Sequence, residues 1–435
     1  MSSTLDAELT KYPGILHQDA RCLLLLIPDG IPERDRGRFG SEGFLRWFRR
    51  RFCPLVGAWP AKSFSFSGRR FLWFSDPGLA EHDPKFESGP KGTISIFHPR
   101  YSLECDPRKV DSTESKSFPK WLTGSATDCY QGDLSGTGLG EEGYYTALGK
   151  TLLFQSAQFP KPELQARWKQ CGQGWGFDSG FWKQHDRRLQ GKGKADLCPE
   201  PIWGTSDAAA SSILESGVRY EISFEEGYSF GLFLDQRENR WRLLNNQIEP
   251  GFPVFNGSGA APPRILNTFS YTCGFSVCGA LAGAEVVSVD LSKKYLEWGK
   301  RNFARNKLST EGHEFLFGDV FGWIRRFIRR GNRFDLIILD PPTFSRSKEW
   351  GVFKVVRDLE KLVEQVVPLL NPGGRMLVSS NAATWNPDHF ADAIRTAVSR
   401  GGRRVGRDCF ATQPWDFGVV DGREAYLKTW WLEVN

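Results

Sequence analysis

The sequence predicts an α/β fold for its second half, an open parallel sheet with helices on both faces, preceded by an α+β region of a different texture. Three observations predict it. The short apolar runs ILNTF, VVSVD and FDLIILD have the continuous hydrophobicity of strands buried on both faces. Segments of helical length and period, such as KKYLEWGKRNFARN and VFGWIRRFIRR, separate those runs. Strand and helix alternate in a βαβ series, which only a parallel sheet with crossover helices accommodates.

Taken in order, Val218 to Phe224 and Gly231 to Leu234 read as a lead-in hairpin within residues 216–235. Strand Ile265 to Phe269 enters a loop at Ser270 to Gly274 and then a helix of small residues. The next strand ends at Asp290, and Ser292 is placed to cap the following helix. Strand EFLFGD ends at Asp319, and FDLIILD ends at Asp340. A helix over Val355 to Leu369, Pro372-Gly373-Gly374, strand RMLVSS and a last strand over Tyr426 to Val434 complete the series.

The boundary falls near residue 205. Residues 1–205 form a separate region with strands at Cys22 to Ile27 and Thr93 to Phe97 and a helix at Phe44 to Phe52. Within it, 102–205 reads as loop-rich, because Gly, Ser, Pro, Asp and Lys interrupt every apolar period. Arg46, Arg49 and Arg50 share one face of the helix at 44–52, as a nucleic-acid contact or, more simply, a solvated basic side.

Composition narrows the class of protein. The chain has 435 residues, a net charge of +6, 16 Trp and 33 Phe, so it is neither a disordered chain nor a histone-like polycation. The aliphatic run Leu23 to Ile27 is far short of the roughly 20 residues that cross a bilayer, and the N-terminus lacks the pattern of a secretory signal. Nine Cys without a CxxC pair and six His without HxH or HExxH spacing predict neither a disulfide framework nor a metal. A cytoplasmic location follows, with organelle import left open.

In open α/β sheets, ligands bind beyond the carboxyl ends of the strands. Asp290 there suits the two O–H donors of a ribose, and Gly274 lets a ligand approach the backbone. A dinucleotide enzyme would share the acidic residue, but the loop SYTCGFSVCG lacks the pyrophosphate fingerprint GxGxxG. A cofactor without phosphates fits better. Asp319 can accept from an adenine amino group, so S-adenosylmethionine meets every requirement. Asp340-Pro341-Pro342-Thr343-Phe344 then offers an acceptor site, with a carboxylate, two residues without N–H, and an aromatic face for a flat base. Read simply, the two prolines only terminate a strand.

The stretch LNTFSYTCGFSVCGALAGAEVVSVDLSKKYLEWGKRNFARN, with GDVF and LDPPTFSRSK, resembles the class I methyltransferases that act on large-subunit ribosomal RNA. ESGVRYEISF, GLFLDQREN and YLKTWWLEV extend the resemblance over about 206–435. It implies a Rossmann-like class I methyltransferase sheet, S-adenosylmethionine as cofactor and ribosomal RNA as partner and substrate. It also implies roles: Phe269, Tyr271 and Gly274 on the methionine side, Asp290 with Leu291 at the ribose, and Asp319 with Val320 at the adenine. Gln236 and Arg237 would close over the cofactor or order its loops, with a structural ion pair as the plainer role for Arg237. Asp340, Pro341, Pro342 and Phe344 would form the catalytic mouth. Two positions depart from the family pattern: Ser229-Phe230 stand where Lys-Thr is usual, and Cys273 replaces a frequent Gly.

Cytosine C5 is a poor nucleophile whose methylation uses a Cys thiolate after the fifth strand, where this chain has Ser379-Ser380-Asn381. Cys273 and Cys278 read as small packing residues. A nitrogen acceptor of the guanine N7 kind is therefore expected, and an exocyclic amine would also serve. Arg346 and Lys348, just past the base-binding segment, are the expected RNA contacts. Arg325, Arg326, Arg329 and Arg330 make a basic helical stripe, a further RNA contact or, more simply, a solvated outer face. The competing readings are methylation of a protein or small molecule, and a non-catalytic RNA-binding protein retaining the fold.

Overall fold

The computed structural model describes residues 127–134, 143–184, 198–205, 212–225, 229–249, 251–256, 261–347, 351–382, 385–412, 414, 417 and 426–435, with isolated strands before them. The chain divides into two compact units, 1–126 and 127–435. In the first, β1 (Ile15–Gln18), β2 (Cys22–Ile27), β3 (Ala61–Phe66) and β4 (Arg69–Ser75) form one antiparallel sheet. β5 (Lys85–Ser88), β6 (Ile94–His98) and β7 (Tyr101–Cys105) form another. The two strands expected there from sequence correspond to β2 and β6. The basic helix expected at 44–52 lies outside the described residues.

The division at 126/127 differs from the expected one near 205, and so does the texture of the intervening segment. A five-stranded sheet occupies it, from β8 (Cys129–Asp133) through β9 (Tyr144–Leu148), β10 (Thr151–Ser156), β11 (Ser179–Gln184) and β12 (Glu200–Trp203), in the order β12-β11-β10-β9-β8. Helix α1 (Pro162–Gly174) is the crossover that makes β10 and β11 parallel. Its Trp168 stacks on Phe154 with ring centroids 4.3 Å apart. Gly172 and Gly180 leave room for Trp203, whose ring atoms lie 2.5 Å and 2.0 Å from where their Cβ atoms would stand.

The expected hairpin at 216–235 is also displaced. It pairs β13 (Ser212–Glu215) with β14 (Val218–Glu221) through Ser216 and Gly217, both at positive φ as a two-residue turn of this hand requires. Residues 231–234 are not a strand. They lead into a 3₁₀ turn at Leu234–Gln236 and helix α2 (Arg237–Leu244).

The main sheet follows the sequence closely. Its strands are β15 (Arg264–Thr268), β16 (Glu285–Asp290), β17 (Glu314–Phe317), β18 (Phe334–Leu339), β21 (Leu370–Ser380), β22 (Val405–Thr412) and β23 (Lys428–Val434). They run in the order β17-β16-β15-β18-β21-β23-β22, with β23 antiparallel to both its neighbours. Between β18 and β21 the chain inserts a hairpin of β19 (Phe344–Ser347) and β20 (Gly351–Lys354), which sequence reading missed.

Helices α3 (Gly274–Leu281), α4 (Lys293–Arg305), α5 (Val320–Arg329), α6 (Val355–Val366) and α7 (Pro387–Arg400) cover the sheet. Successive strand residues point to opposite faces, so Ile265, Val286, Leu336 and Leu377 join one apolar cluster while Leu266, Val287, Ile337 and Val378 join the other. The first cluster continues into Leu148, Leu153 and Phe181 of the small sheet, which is why that sheet belongs to the second unit. Ser292 caps α4 as expected, accepting from the Tyr295 N–H.

Candidate active site

Sequence neighbours part company between β15 and β18, because β16 and β17 build outward on one side and β18 and β21 on the other. This reversal opens a cleft of about 710 Å³ at the carboxyl ends of the strands. Phe269, Tyr271, Gly274, Asp290 and Leu291 line one part of it, and Asp340, Pro341, Pro342, Phe344 and Gln236 another. Asp319 and Val320 line an adjoining recess, together with Phe269, Leu291 and Ser345. Phe344 stands half exposed, at 51%.

The loop after β15 is strained and tightly held. Phe269, Tyr271 and Cys273 have φ of 54°, 49° and 63°, a region that costs a non-Gly residue on the order of 1–3 kcal/mol. Asp290 Oδ2 accepts the Tyr271 N–H at 2.8 Å, Thr272 Oγ1 donates to the Gly231 carbonyl at 2.5 Å, and Asn302 Nδ2 donates to the Thr272 carbonyl at 2.9 Å. The left-handed backbone at Cys273 explains why Gly would be favoured there. Its side chain fits because Gly299 of α4 has none: a Cβ there would stand 2.4 Å from Cys273 Sγ. Both Cys273 and Cys278 are buried, which pushes each thiol up to about 12 and fits their reading as packing residues.

Asp290 ends β16 with one N–H on each oxygen, from Tyr271 to Oδ2 and Ser292 to Oδ1, both at 2.8 Å. Each oxygen keeps a lone pair for a diol. Burial raises the Asp290 carboxyl, although the two N–H bonds pull the other way. Asp319 uses Oδ1 to cap α5, accepting from the N–H groups of Phe321 and Gly322 at 2.9 and 3.3 Å. Apolar faces at Phe269, Leu291 and Val320 beside that carboxylate suit a purine, and nothing in the loop resembles a phosphate cradle. The residues present therefore fit a nucleoside cofactor without phosphates.

At the other end, Asp340 is held rather than free. Ser379 Oγ donates to its Oδ1, and Gln236 Nε2 donates to the same oxygen at 3.2 Å and to Ser379 Oγ at 3.1 Å. Asn239 Nδ2 donates to Gln236 Oε1 at 2.8 Å, and Asn239 Oδ1 accepts from the Trp431 indole N–H at 2.8 Å. Burial raises the Asp340 carboxyl against these bonds. Gln236 thus lines the cleft while tied to the Asp340 segment.

Arg237 does not line the cleft. Its Nη1 donates to the Cys129 carbonyl at 3.0 Å and ties α2 to the small sheet. Arg346 is exposed on β19, while Lys348 lies outside the described residues. The stripe Arg325, Arg326, Arg329 and Arg330 is exposed.

Two charged cleft residues escaped the sequence reading. Arg240 lies three and four positions beyond Arg237 and Gln236 and forms a bidentate pair with Glu215, Nε to Oε1 at 2.6 Å and Nη2 to Oε2 at 2.8 Å. Asp235 precedes Gln236 and accepts from the Tyr426 hydroxyl at 3.0 Å. Their only signal was position in GLFLDQRENR, beside residues already singled out.

A reversed parallel sheet with an acidic end to its second strand, a glycine-containing first loop and Asp-Pro-Pro after its fourth strand defines a class I S-adenosylmethionine-dependent methyltransferase. The sequence profile of the S-adenosylmethionine-dependent methyltransferases matches residues 152–421, and the chain belongs to that family. Ribosomal RNA large subunit methyltransferase K of Neisseria meningitidis serogroup B is 39% identical over 175 residues, which are 40% of this chain and 46% of that protein. A ribosomal RNA large subunit methyltransferase of Deinococcus radiodurans is 35% identical over 235 residues, 54% of each chain. The chain spans about half the length of these relatives. A protein assigned as a methyltransferase and solved in complex with SAH aligns with a TM-score of 0.59 and 26% identity, over 72% of this chain and 77% of that one. The cofactor of the family is S-adenosylmethionine.

Proposed function

We propose that this protein methylates a base of large-subunit ribosomal RNA, at a nitrogen of the base rather than at cytosine C5. The observation that carries the reading is one cleft joining the Asp290 loop to the Asp340-Pro341-Pro342-Thr343-Phe344 segment, with no cysteine lining it among the described residues. A ring or exocyclic nitrogen has a lone pair and needs no covalent help, whereas C5 would need a thiolate. The similarity to ribosomal RNA methyltransferases supports RNA as the substrate.

S-adenosylmethionine supplies an electrophilic methyl group. Asp290 would take the ribose, Asp319 and Val320 the adenine, and Phe269, Tyr271 and Gly274 the methionine end. A duplex base is out of reach until it leaves the stack, and the exposed ring of Phe344 gives the displaced base a face to lie on. Asp340, oriented by Gln236 and Ser379, would hold the edge of that base, while Pro341 and Pro342 offer no competing N–H. Positioning is the main work of such a site, because transfer proceeds in line. Arg346 would meet phosphate.

Mass spectrometry of ribosomal RNA from a strain lacking the gene, with wild-type or Asp340→Ala complementation, tests this. One methylated nitrogen should vanish and return only with the wild type. An unchanged profile would move the acceptor to a protein or small molecule. Loss of a C5-methylcytosine would overturn the nitrogen assignment.

A further inference from the structure

The buried side-chain polar groups on the acceptor side of the cleft pair off, with one exception among the described residues. Asp340 Oδ1 is taken by Ser379 and Gln236, and both ends of the Gln236 amide are in use. Asp235 lines the same cleft, and its Oδ2 accepts from Tyr426. Its Oδ1 is shut off from solvent and has no hydrogen-bond partner among the described residues. A buried acceptor without a donor is rare in folded proteins and calls for a role. Asp235 also lies on the acceptor side rather than the cofactor side. Asp340, after β18, and Tyr426, ahead of β23, are its neighbours on that side, whereas the cofactor residues end β15, β16 and β17, and Arg240 stands between it and Gly274 and Phe275 of the loop after β15.

We propose that Asp235 is the proton acceptor of the reaction, and that the target is a base nitrogen bearing hydrogen, an exocyclic amine. This rests on the nitrogen-methylation reading above and narrows it. As the N–CH₃ bond forms, the S–CH₃ bond breaks and its electron pair stays on sulfur. The acceptor nitrogen then holds a positive charge, and its proton passes to the Asp235 carboxylate and on to solvent after product release. A guanine N7 has no such proton and would leave Asp235 without this work.

The surroundings suit the role. Burial, then the charge of Asp340, pushes the Asp235 carboxyl up to about 6, while Tyr426, Arg240 and its own backbone N–H pull it down. Arg240 is itself neutralised by Glu215. Asp235 is thus ionised at neutral pH yet a stronger base than an ordinary aspartate.

The test uses the full chain with unmodified large-subunit ribosomal RNA under single-turnover conditions. The wild-type rate should rise with pH through about 6. Asp235→Asn should lower the rate on the order of 100-fold and abolish that limb, with S-adenosylmethionine affinity by calorimetry within about twofold of wild type. Asp235→Glu should restore part of the rate with a displaced limb. Mass spectrometry should find the methyl on an exocyclic amine. A ring N7 product overturns the proposal, as does wild-type turnover by Asp235→Asn. A tenfold loss of cofactor affinity with an unchanged rate at saturation also overturns it, since Asp235 would then hold the cofactor's ammonium. If the wild type leaves ribosomal RNA unlabelled, the ribosomal reading alone fails. Labelled methyl transfer into total RNA and protein then carries the same Asp235 comparison.

Discussion

Removing Glu215 is expected to weaken the protein and its cleft together. Glu215 and Arg240 are buried to 2% and 3% side-chain exposure and meet through two short parallel bonds. Burial alone would lower the Arg240 pKa, yet the charge and hydrogen bonds of Glu215 reverse that and raise it. Arg240 also donates to the Phe233 carbonyl at 2.9 Å, fixing the segment that presents Asp235 and Gln236. Glu215→Ala leaves a guanidinium in a dry site with that one carbonyl. Breaking a buried pair by removing one partner costs about 3–5 kcal/mol, so urea midpoints should fall accordingly. Glu215→Gln keeps one acceptor and should cost about 1.5–3 kcal/mol. The double variant Glu215→Ala with Arg240→Met should be less destabilised than the sum of the singles, because no orphan charge remains. Its S-adenosylmethionine affinity should nevertheless stay low, since the Arg240 bond to the Phe233 carbonyl is still lost. A loss below about 1 kcal/mol for Glu215→Ala would mean that the pair behaves as a solvated surface contact, refuting the reasoning.

Three further outcomes follow from the same geometry. Asp290→Ala removes the acceptor of two backbone N–H groups as well as the proposed ribose contact, so calorimetry should show cofactor affinity lowered by about 1.5–3 kcal/mol, or 10- to 150-fold; unchanged affinity would exclude that loop from the site. Gly299→Ala places a Cβ 2.4 Å from Cys273 Sγ and should cost about 1–3 kcal/mol in thermal or urea unfolding, and Cys273→Gly in the same chain should restore it; failure of the rescue would show that the collision lies elsewhere. The Asp235 carboxyl stands at about 6 in the folded protein against 3.8 as its ordinary value, so its contribution to stability is complete below about pH 4 and is lost as pH rises through 6. Asp235→Asn should therefore gain on the wild type between pH 4 and 7 by up to about 3 kcal/mol, and a difference that stays flat with pH would contradict a raised carboxyl.

How much of this was legible from sequence depended on where each residue's partners lie. β15, β16 and β18 declared themselves because both their faces are buried, leaving runs such as Leu336 to Leu339 with no polar residue to confuse the reading. Asp290 and Asp340 declared themselves because a strand end is a fixed place in such a sheet. The small sheet did not: its apolar residues face partners far along the chain, as Leu153 and Phe181 do in sharing a cluster with Ile213 and Tyr220. Between its strands stand the Gly- and Pro-bearing stretches of sequence that made 102–205 look like loop.

Helix α2 was the least legible element, and the physics of its burial explains why. Arg237, Asn239, Arg240 and Arg242 are all buried, so a hydropathy pattern reads it as a surface helix. Three of the four are instead satisfied at long range: Arg237 by a carbonyl 108 positions away, Arg240 by Glu215, and Asn239 by an indole 192 positions away, while Arg242 bonds the nearby Ile248 carbonyl. Such a network is tolerable only when every member is paired, and α2 with its lead-in turn meets that condition everywhere but at Asp235. The exception falls on a residue that lines the cleft, and the proposal above gives its carboxylate a part in the reaction.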